Sequence, residues 1–411
     1  MKEKVQRLME AQQVKAVMAQ LDQDEKRMVD DQIELCAINS PSNQEEKRAK
    51  RYEEMFRELP FDKVWMDEVW NVYGLLKGTG GGPKIVISAH MDTVFDADTD
   101  VTPRIDENGV IHAPGITDDT RGMAEVLGIA RAMMETGVRA MGDILFCGTV
   151  GEEVLGNLRG TRHMFETMDD IDGFISIDGP MPEKITLHAI ASMVYHVTYR
   201  GVGGHALGMF GIPNANNAMG RAIAKISDLQ VPKKPVTVFN VGIARGGTST
   251  NGIPTKSELM IDMRSMQDAE LDRLADRIAA CCREACEEEN ARWNHPTETV
   301  TVEIEASGRR PGGEQDMDAP HIQAALAAYR AFGMEPVIPE GGSTDSNIPI
   351  SKGIPSCTIG RGGKMGLSHT VNEYFDPTGS AEGPKRDLVL LLAFAGLEGV
   401  CEPVVQKKNR G

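Results

Sequence analysis

The chain has 411 residues, 41% of them hydrophobic and 26% charged, which is ordinary for a globular protein and enough for two domains with sizeable cores. Its net charge of −17, with no basic run, makes nucleic acid and anionic membrane surfaces poor partners. The charged opening Met1-Lys2-Glu3-Lys4 has no apolar signal region, no window is apolar enough to span a membrane, and seven cysteines show no disulfide framework, so a reducing cytoplasm is expected.

Residues 1–58 read as helices. Asp22, Asp24 and Glu25 open one that carries Met28, Ile33, Leu35 and Cys36. Ser40-Pro41-Ser42-Asn43 breaks it and caps the next, with Gln44-Glu45-Glu46 in the first turn. Apolar segments at 63–66 and 72–76 follow. The glycine run at 78–82 is a turn rather than a phosphate loop, because Pro83 precedes Lys84 and no Ser or Thr follows the lysine. Ile85-Val86-Ile87 starts a strand that ends at His90. The spacing predicts a helix over 122–136 and buried strands at 143–146 and 173–177. Strands and helices alternating in this way predict a doubly wound sheet. No Gly-x-Ser-x-Gly nucleophile elbow occurs.

After about residue 185 the pattern changes to β-α-β-β-α-β, the order of a ferredoxin-like unit. Strand-like 188–199 leads to a helix at 214–229, strands at 236–243 and 259–263, an acidic helix at 268–290 and a strand at 299–305. Cys281, Cys282 and Cys286 fall on that helix, where packing outweighs a metal pair. A helix at 319–332, a strand at 355–359 and a helix at 380–400 return to the first domain. The expected fold class is α/β: a doubly wound, mixed-sheet catalytic domain at 1–185 and 308–411, with an inserted ferredoxin-like α+β domain at 186–307.

The chemistry gathers where strands run out, which is where open α/β sheets build their sites. His90 and Asp92 lie two apart on an extended stretch and share a face, so the carboxylate can hold one imidazole nitrogen and leave the other free for a metal. Asp118 and Asp119 stand before a helix. Glu152 and Glu153 follow one strand, Asp178 ends another, and His369 lies near the C-terminus. Convergent carboxylates repel by ~4 kcal/mol per pair at an effective dielectric of about 20, so either they are mostly protonated or a cation balances them. Two imidazoles favour zinc over magnesium or calcium. Two divalent ions against three ligand carboxylates leave one positive charge, enough to acidify a shared water. The adjacent Glu152 and Glu153 diverge, so one can bind metal while the other faces substrate as general base.

Ser-Ala-His-Met-Asp-Thr-Val, Thr-Asp-Asp-Thr-Arg-Gly, Gly-Glu-Glu, Ile-Asp-Gly-Pro and Leu-Ser-His resemble the signature blocks of the aminoacylase, glutamate carboxypeptidase and succinyl-diaminopimelate desuccinylase family of dizinc hydrolases. The likeness covers nearly the whole chain, and its wording is also similar to an uncharacterised branch associated with selenium metabolism in bacteria. The resemblance implies His90 and Asp178 on one zinc, Glu153 and His369 on the other, and Asp118 bridging them. It also implies Asp92 orienting His90, Glu152 as general base and a cis Asp118-Asp119 bond. Cobalt or manganese are alternatives to the two zinc ions.

The inserted domain resembles the family's lid and dimerisation domain. His205, in Gly203-Gly204-His205-Ala206, then matches the histidine that crosses a homodimer to steady the oxyanion. Asn251 and Arg264 resemble lid residues that hold a substrate carboxylate. Gly342 and Ser343 lie in a glycine-rich loop whose N–H groups would hold the same anion. Thr120-Arg121, where many relatives have Lys and a small residue, and Gly179-Pro180 depart from the commonest wording and blur the subfamily. The expected activity is hydrolysis of an amide bond beside a free carboxylate, in an N-acyl or N-carbamoyl amino acid or a small peptide. The alternatives are a strict dipeptidase or aminopeptidase, or an inactive metal- or ligand-binding protein, against which the presence of Glu152 argues.

Overall fold

A computed structural model describes residues 1–153 and 156–408. The chain forms two compact units, one comprising Met1–Ala189 and the stretch from Glu314 onward, the other Ile190–Gly313. These divisions lie a few residues from the expected 185/186 and 307/308.

The first unit is built on a seven-stranded sheet. Its order is Lys63–Met66, Val72–Leu76, Ile144–Thr149, Ile85–His90, Gly173–Gly179, Ser356–Gly360 and Ile185–Thr186. The four strands from Ile144–Thr149 to Ser356–Gly360 run parallel, and the outer ones pair antiparallel. Parallel strands covered on both faces must be apolar throughout, which explains the unbroken runs Ile85-Val86-Ile87 and Ile144-Leu145-Phe146, all buried. Because these strands point the same way, all their C-terminal ends open on one edge of the sheet.

Helix Thr120–Glu135 packs against that sheet and buries almost every side chain. Its first turn is capped by Asp119, whose Oδ1 accepts the Gly122 N–H at 3.2 Å. Helix Glu382–Ala395 is equally buried. The N-terminal helices Lys2–Glu10, Gln12–Gln23, Glu25–Cys36 and Glu46–Arg57 carry Val5, Leu8, Val14, Val17, Leu21 and Met28 into the same core.

The expected cap at 40–43 does not form. Helix Glu46–Arg57 has no side-chain cap, and Ser42 instead donates its hydroxyl to Asp92 Oδ2 at 2.6 Å. A charge-assisted bond to a buried carboxylate outweighs a neutral cap. The helix Arg159–Thr167 and a small sheet made from 104–105, 111–112, 364–366 and 374–376 were not expected.

The second unit is an antiparallel sheet in the order Thr237–Gly246, Lys256–Ser265, Ala191–Arg200, Thr301–Arg310. Helices Ala215–Ser227 and Asp268–Trp293 bury their apolar stripes against it. This is the β-α-β-β-α-β arrangement of a ferredoxin-like fold. Cys282 and Cys286 are core side chains on the long helix, and Cys286 Sγ lies 3.1 Å from the Val300 carbonyl. They fill space rather than hold a metal.

Candidate metal centre

Each parallel strand places charged or metal-ligating groups at or just past its C-terminal end. His90 is the last residue of its strand, and Asp178 sits at the penultimate position of Gly173–Gly179. Glu152 and Glu153 follow Ile144–Thr149, and Arg361 follows Ser356–Gly360. The loop before Thr120–Glu135 brings in Asp118, and the turn after residue 366 brings in His369.

Asp92 fixes the first corner. Its main-chain carbonyl lies 3.0 Å from His90 Nδ1, and its Oδ1 lies 3.5 Å from the same nitrogen. The carboxylate accepts the Glu152 N–H at 2.9 Å on one oxygen and the Glu153 N–H at 3.1 Å on the other. So the nearer orienting group for His90 is the carbonyl, while the side chain sets the backbone of the two glutamates. Burial alone would raise the Asp92 carboxyl; bonds from His90, Ser42 and the Glu152 N–H outweigh it and hold it below the ordinary range.

With Nδ1 committed, His90 turns Nε2 to the acids, 3.0 Å from Asp118 Oδ1 and 3.6 Å from Asp178 Oδ1. The other Asp118 oxygen, Oδ2, lies 3.2 Å from His369 Nε2, which is also 3.1 Å from Glu153 Oε1. One carboxylate therefore serves two histidines. Asp118, Glu153 and His369 offer ligand atoms within 4.8 Å of one another, as do His90, Glu152 and Glu153. The Asp118–Asp119 peptide is cis.

The field of these acids is legible in the imidazoles. Hydrogen bonds to Asp118 and Glu153 push His369 up to about 10. Burial would lower His90, yet Asp118, Asp178 and Asp92 carry it well above its ordinary value. The cluster draws positive charge, as three convergent carboxylates must.

Three residues that the sequence reading passed over complete the surroundings. Arg361 is 1% exposed and points its Nη2 at Asp118 Oδ1 and Asp178 Oδ1, 2.7 Å from each, while its Nε lies 2.6 Å from Asp119 Oδ1. Glu373 accepts main-chain N–H groups from Gly115, Thr117 and Asp118 at 2.8–3.0 Å, and the Thr117 hydroxyl. Asp345 takes the Thr149 hydroxyl at 2.5 Å, and burial pushes its carboxyl up to about 6. Arg361 follows the same strand-end pattern as the acids and histidines, one residue beyond Ser356–Gly360.

The expected Asn251, Arg264 and His205 belong to the second unit, and Gly342 and Ser343 to the first. Arg264 is exposed on Lys256–Ser265 and pairs with Asp262 at 2.9 Å. Asn251 is exposed in the same unit, where its side chain accepts from Ser249 and its carbonyl from the Ala206 N–H. His205 is exposed, and its Nδ1 accepts the Leu207 N–H at 3.2 Å. In the first unit Gly342 and Ser343 are half-buried. The Gly342 N–H is bonded to the His188 carbonyl at 3.0 Å.

Comparison with known proteins follows the same lines. Residues 86–386 match the model of peptidase family M20/M25/M40. The chain is 26% identical to the uncharacterized protein YqjE of Bacillus subtilis over 374 residues, 85% of this chain and 93% of that one. It is 26% identical to carboxypeptidase G2 of a Pseudomonas species over 296 residues, 69% and 67% of the two chains. Its fold is similar to the crystal structure of a tripeptidase from Staphylococcus aureus, with a TM-score of 0.75 at 25% identity, covering 89% of this chain and 97% of that one.

Proposed function

This chain belongs to peptidase family M20/M25/M40, and on that premise we propose that it hydrolyses an amide bond beside a free carboxylate, in an N-acyl or N-carbamoyl amino acid or a small peptide. The observation that carries the reading is Asp118, whose two oxygens face two different histidines. The donor set fits two divalent ions, with His90 and Asp178 for one, Glu153 and His369 for the other, and Asp118 between. Zinc suits two imidazoles with three carboxylates, and cobalt or manganese can take the same donors. Such ions supply the charge that acidifies a water and polarises the scissile carbonyl.

The protein's own groups do the rest. Glu152, buried and fixed through its N–H to Asp92, takes the proton of the attacking water and passes it to the leaving nitrogen. His205 Nδ1 accepts the Leu207 N–H, which leaves Nε2 as the ring's donor. In this reading it serves a second copy of the chain, steadying the oxyanion as the amide carbon becomes tetrahedral, and a homodimer is part of the proposal. The substrate carboxylate needs donors of its own, and the resemblance offers Arg264 and Asn251 for it.

The test is a panel of N-acyl amino acids, N-carbamoyl amino acids and short peptides, offered to zinc-reconstituted protein with and without a strong chelator. Turnover that vanishes on chelation, returns with zinc and is lost when the substrate carboxylate is amidated supports the reading. Cleavage indifferent to amidation overturns the substrate class. The likeness to a tripeptidase favours a second reading, a peptidase for free short peptides. N-acetylation of the peptide separates the two, since it abolishes cleavage only in the second.

A further inference from the structure

We infer that Arg361 makes the two halves of the metal centre unequal, so that one ion binds tightly at Glu153 and His369 and the other only weakly at His90 and Asp178. The inference rests on the metal-centre reading above and concerns a residue which that reading does not use.

The guanidinium is directed to one half. Its Nη2 lies 2.7 Å from Asp178 Oδ1 and 2.7 Å from Asp118 Oδ1, the same two oxygens that face His90 Nε2. The oxygens on the other side, Asp118 Oδ2 and Glu153 Oε1, have His369 as their neighbour instead. A cation entering beside His90 must therefore share both of its carboxylates with a fixed positive charge and lie close to it. A cation entering beside His369 shares neither of its carboxylate oxygens in this way. Like charges at such distances in a buried site repel strongly.

Nothing around Arg361 lets it step aside cheaply. It is fully buried, its Nε is held by Asp119 Oδ1 at 2.6 Å, and its main-chain N–H is bonded to the Gly179 carbonyl at 3.2 Å. Asp119 is anchored in turn, since Oδ2 accepts the His90 N–H and Oδ1 caps the helix at Gly122. Withdrawing the guanidinium would leave a buried carboxylate without its charged partner. Arg361 is thus a positioning and tuning group: it supplies part of the charge that a second ion would otherwise supply alone, at the expense of that ion's affinity.

The experiment is zinc titration of chelator-stripped protein in competition with a chromophoric chelator, with metal content read by mass spectrometry. Wild type is expected to show two equivalents whose affinities differ at least about a hundredfold. Arg361→Gln is expected to tighten the second equivalent at least about tenfold and leave the first within a few-fold, whereas Arg361→Lys keeps the gap. Should the Arg361 variants fail to fold, two ligand variants carry the test. His369→Ala is expected to lose the tight equivalent and His90→Ala to keep it. Two equivalents of equal affinity in wild type, or a tight site that survives His369→Ala, overturn the inference while leaving a two-ion centre standing. A wild-type protein that takes up no zinc overturns both the centre and the inference.

Discussion

The Glu373 carboxylate accepts the Asp118 main-chain N–H at 3.0 Å, although the two residues stand 255 positions apart. The same side chain takes the N–H groups of Gly115 and Thr117, so three residues, Asp118 among them, hang from one carboxylate. Every partner is a donor, and an amide cannot replace the acceptor on both sides. Glu373→Gln should turn an NH2 toward an N–H, cost about 2–4 kcal/mol of stability and weaken zinc binding at least about tenfold without touching the metal. Thermal melts and chelator competition check it; wild-type zinc affinity in a folded variant would show that the loop holds its shape without the brace.

On the proposed mechanism, Glu152 separates binding from turnover. Its carboxylate is not needed as a ligand if His90, Asp118, Glu153, Asp178 and His369 hold the ions. Glu152→Ala should retain both zinc equivalents and lose about 10²–10⁴-fold in kcat, with KM little changed. Loss of a zinc equivalent together with activity would make Glu152 a ligand instead.

Much of this was legible in the sequence for one reason: apolar runs of a buried parallel strand end abruptly, and a charged residue at that boundary has few other places to point. Ile85–Ile87 running to His90, and Phe174–Ile177 running to Asp178, are visible without coordinates. Arg361 obeys the same rule after Ser356–Gly360, but a search restricted to acids and histidines passes over a base. Glu373 was invisible for a different reason, because its role is to bind main-chain N–H groups, which no side-chain pattern records. Ser42 looked like a helix cap because local chemistry favours one, and only the fold brings Asp92 within reach of it. The strands of the small sheet, two or three residues long, are too short to show a period.

Metal removal should be felt in the fold as well as in turnover. On the two-ion reading, stripping the ions leaves Asp118 beside Asp178 on one side and Glu153 on the other, relieved in part by Arg361 and by protons on His90 and His369. A ligand that binds only the folded state stabilises it by about 2.7 kcal/mol at a hundred times its dissociation constant. The melting temperature should therefore rise with free zinc and fall with a strong chelator, and His369→Ala should lose most of the zinc-dependent increment. A melting temperature indifferent to zinc would place the ions outside the folded core.

His321 carries a pH dependence independent of the metal centre. It opens the helix Pro320–Ala331, donates from Nε2 to Gln315 Oε1 at 2.9 Å and meets the Phe394 ring edge-on. Gln315 is itself bound to Leu187 and Ser356, so the histidine is tied to a strand end of the main sheet. Burial lowers its pKa from 6.5 to about 4. A lowered folded value means that the unfolded chain binds the proton first. The neutral ring's contribution is whole above pH 6.5 and is lost as pH falls toward 4, at a cost of about 3 kcal/mol. His321→Gln removes this proton linkage. Denaturant unfolding of both proteins at matched zinc should therefore show wild type losing about 3 kcal/mol more than the variant between pH 7 and pH 4. Parallel stability curves for the two proteins over that range would mean that the imidazole accepts its proton without leaving the folded state.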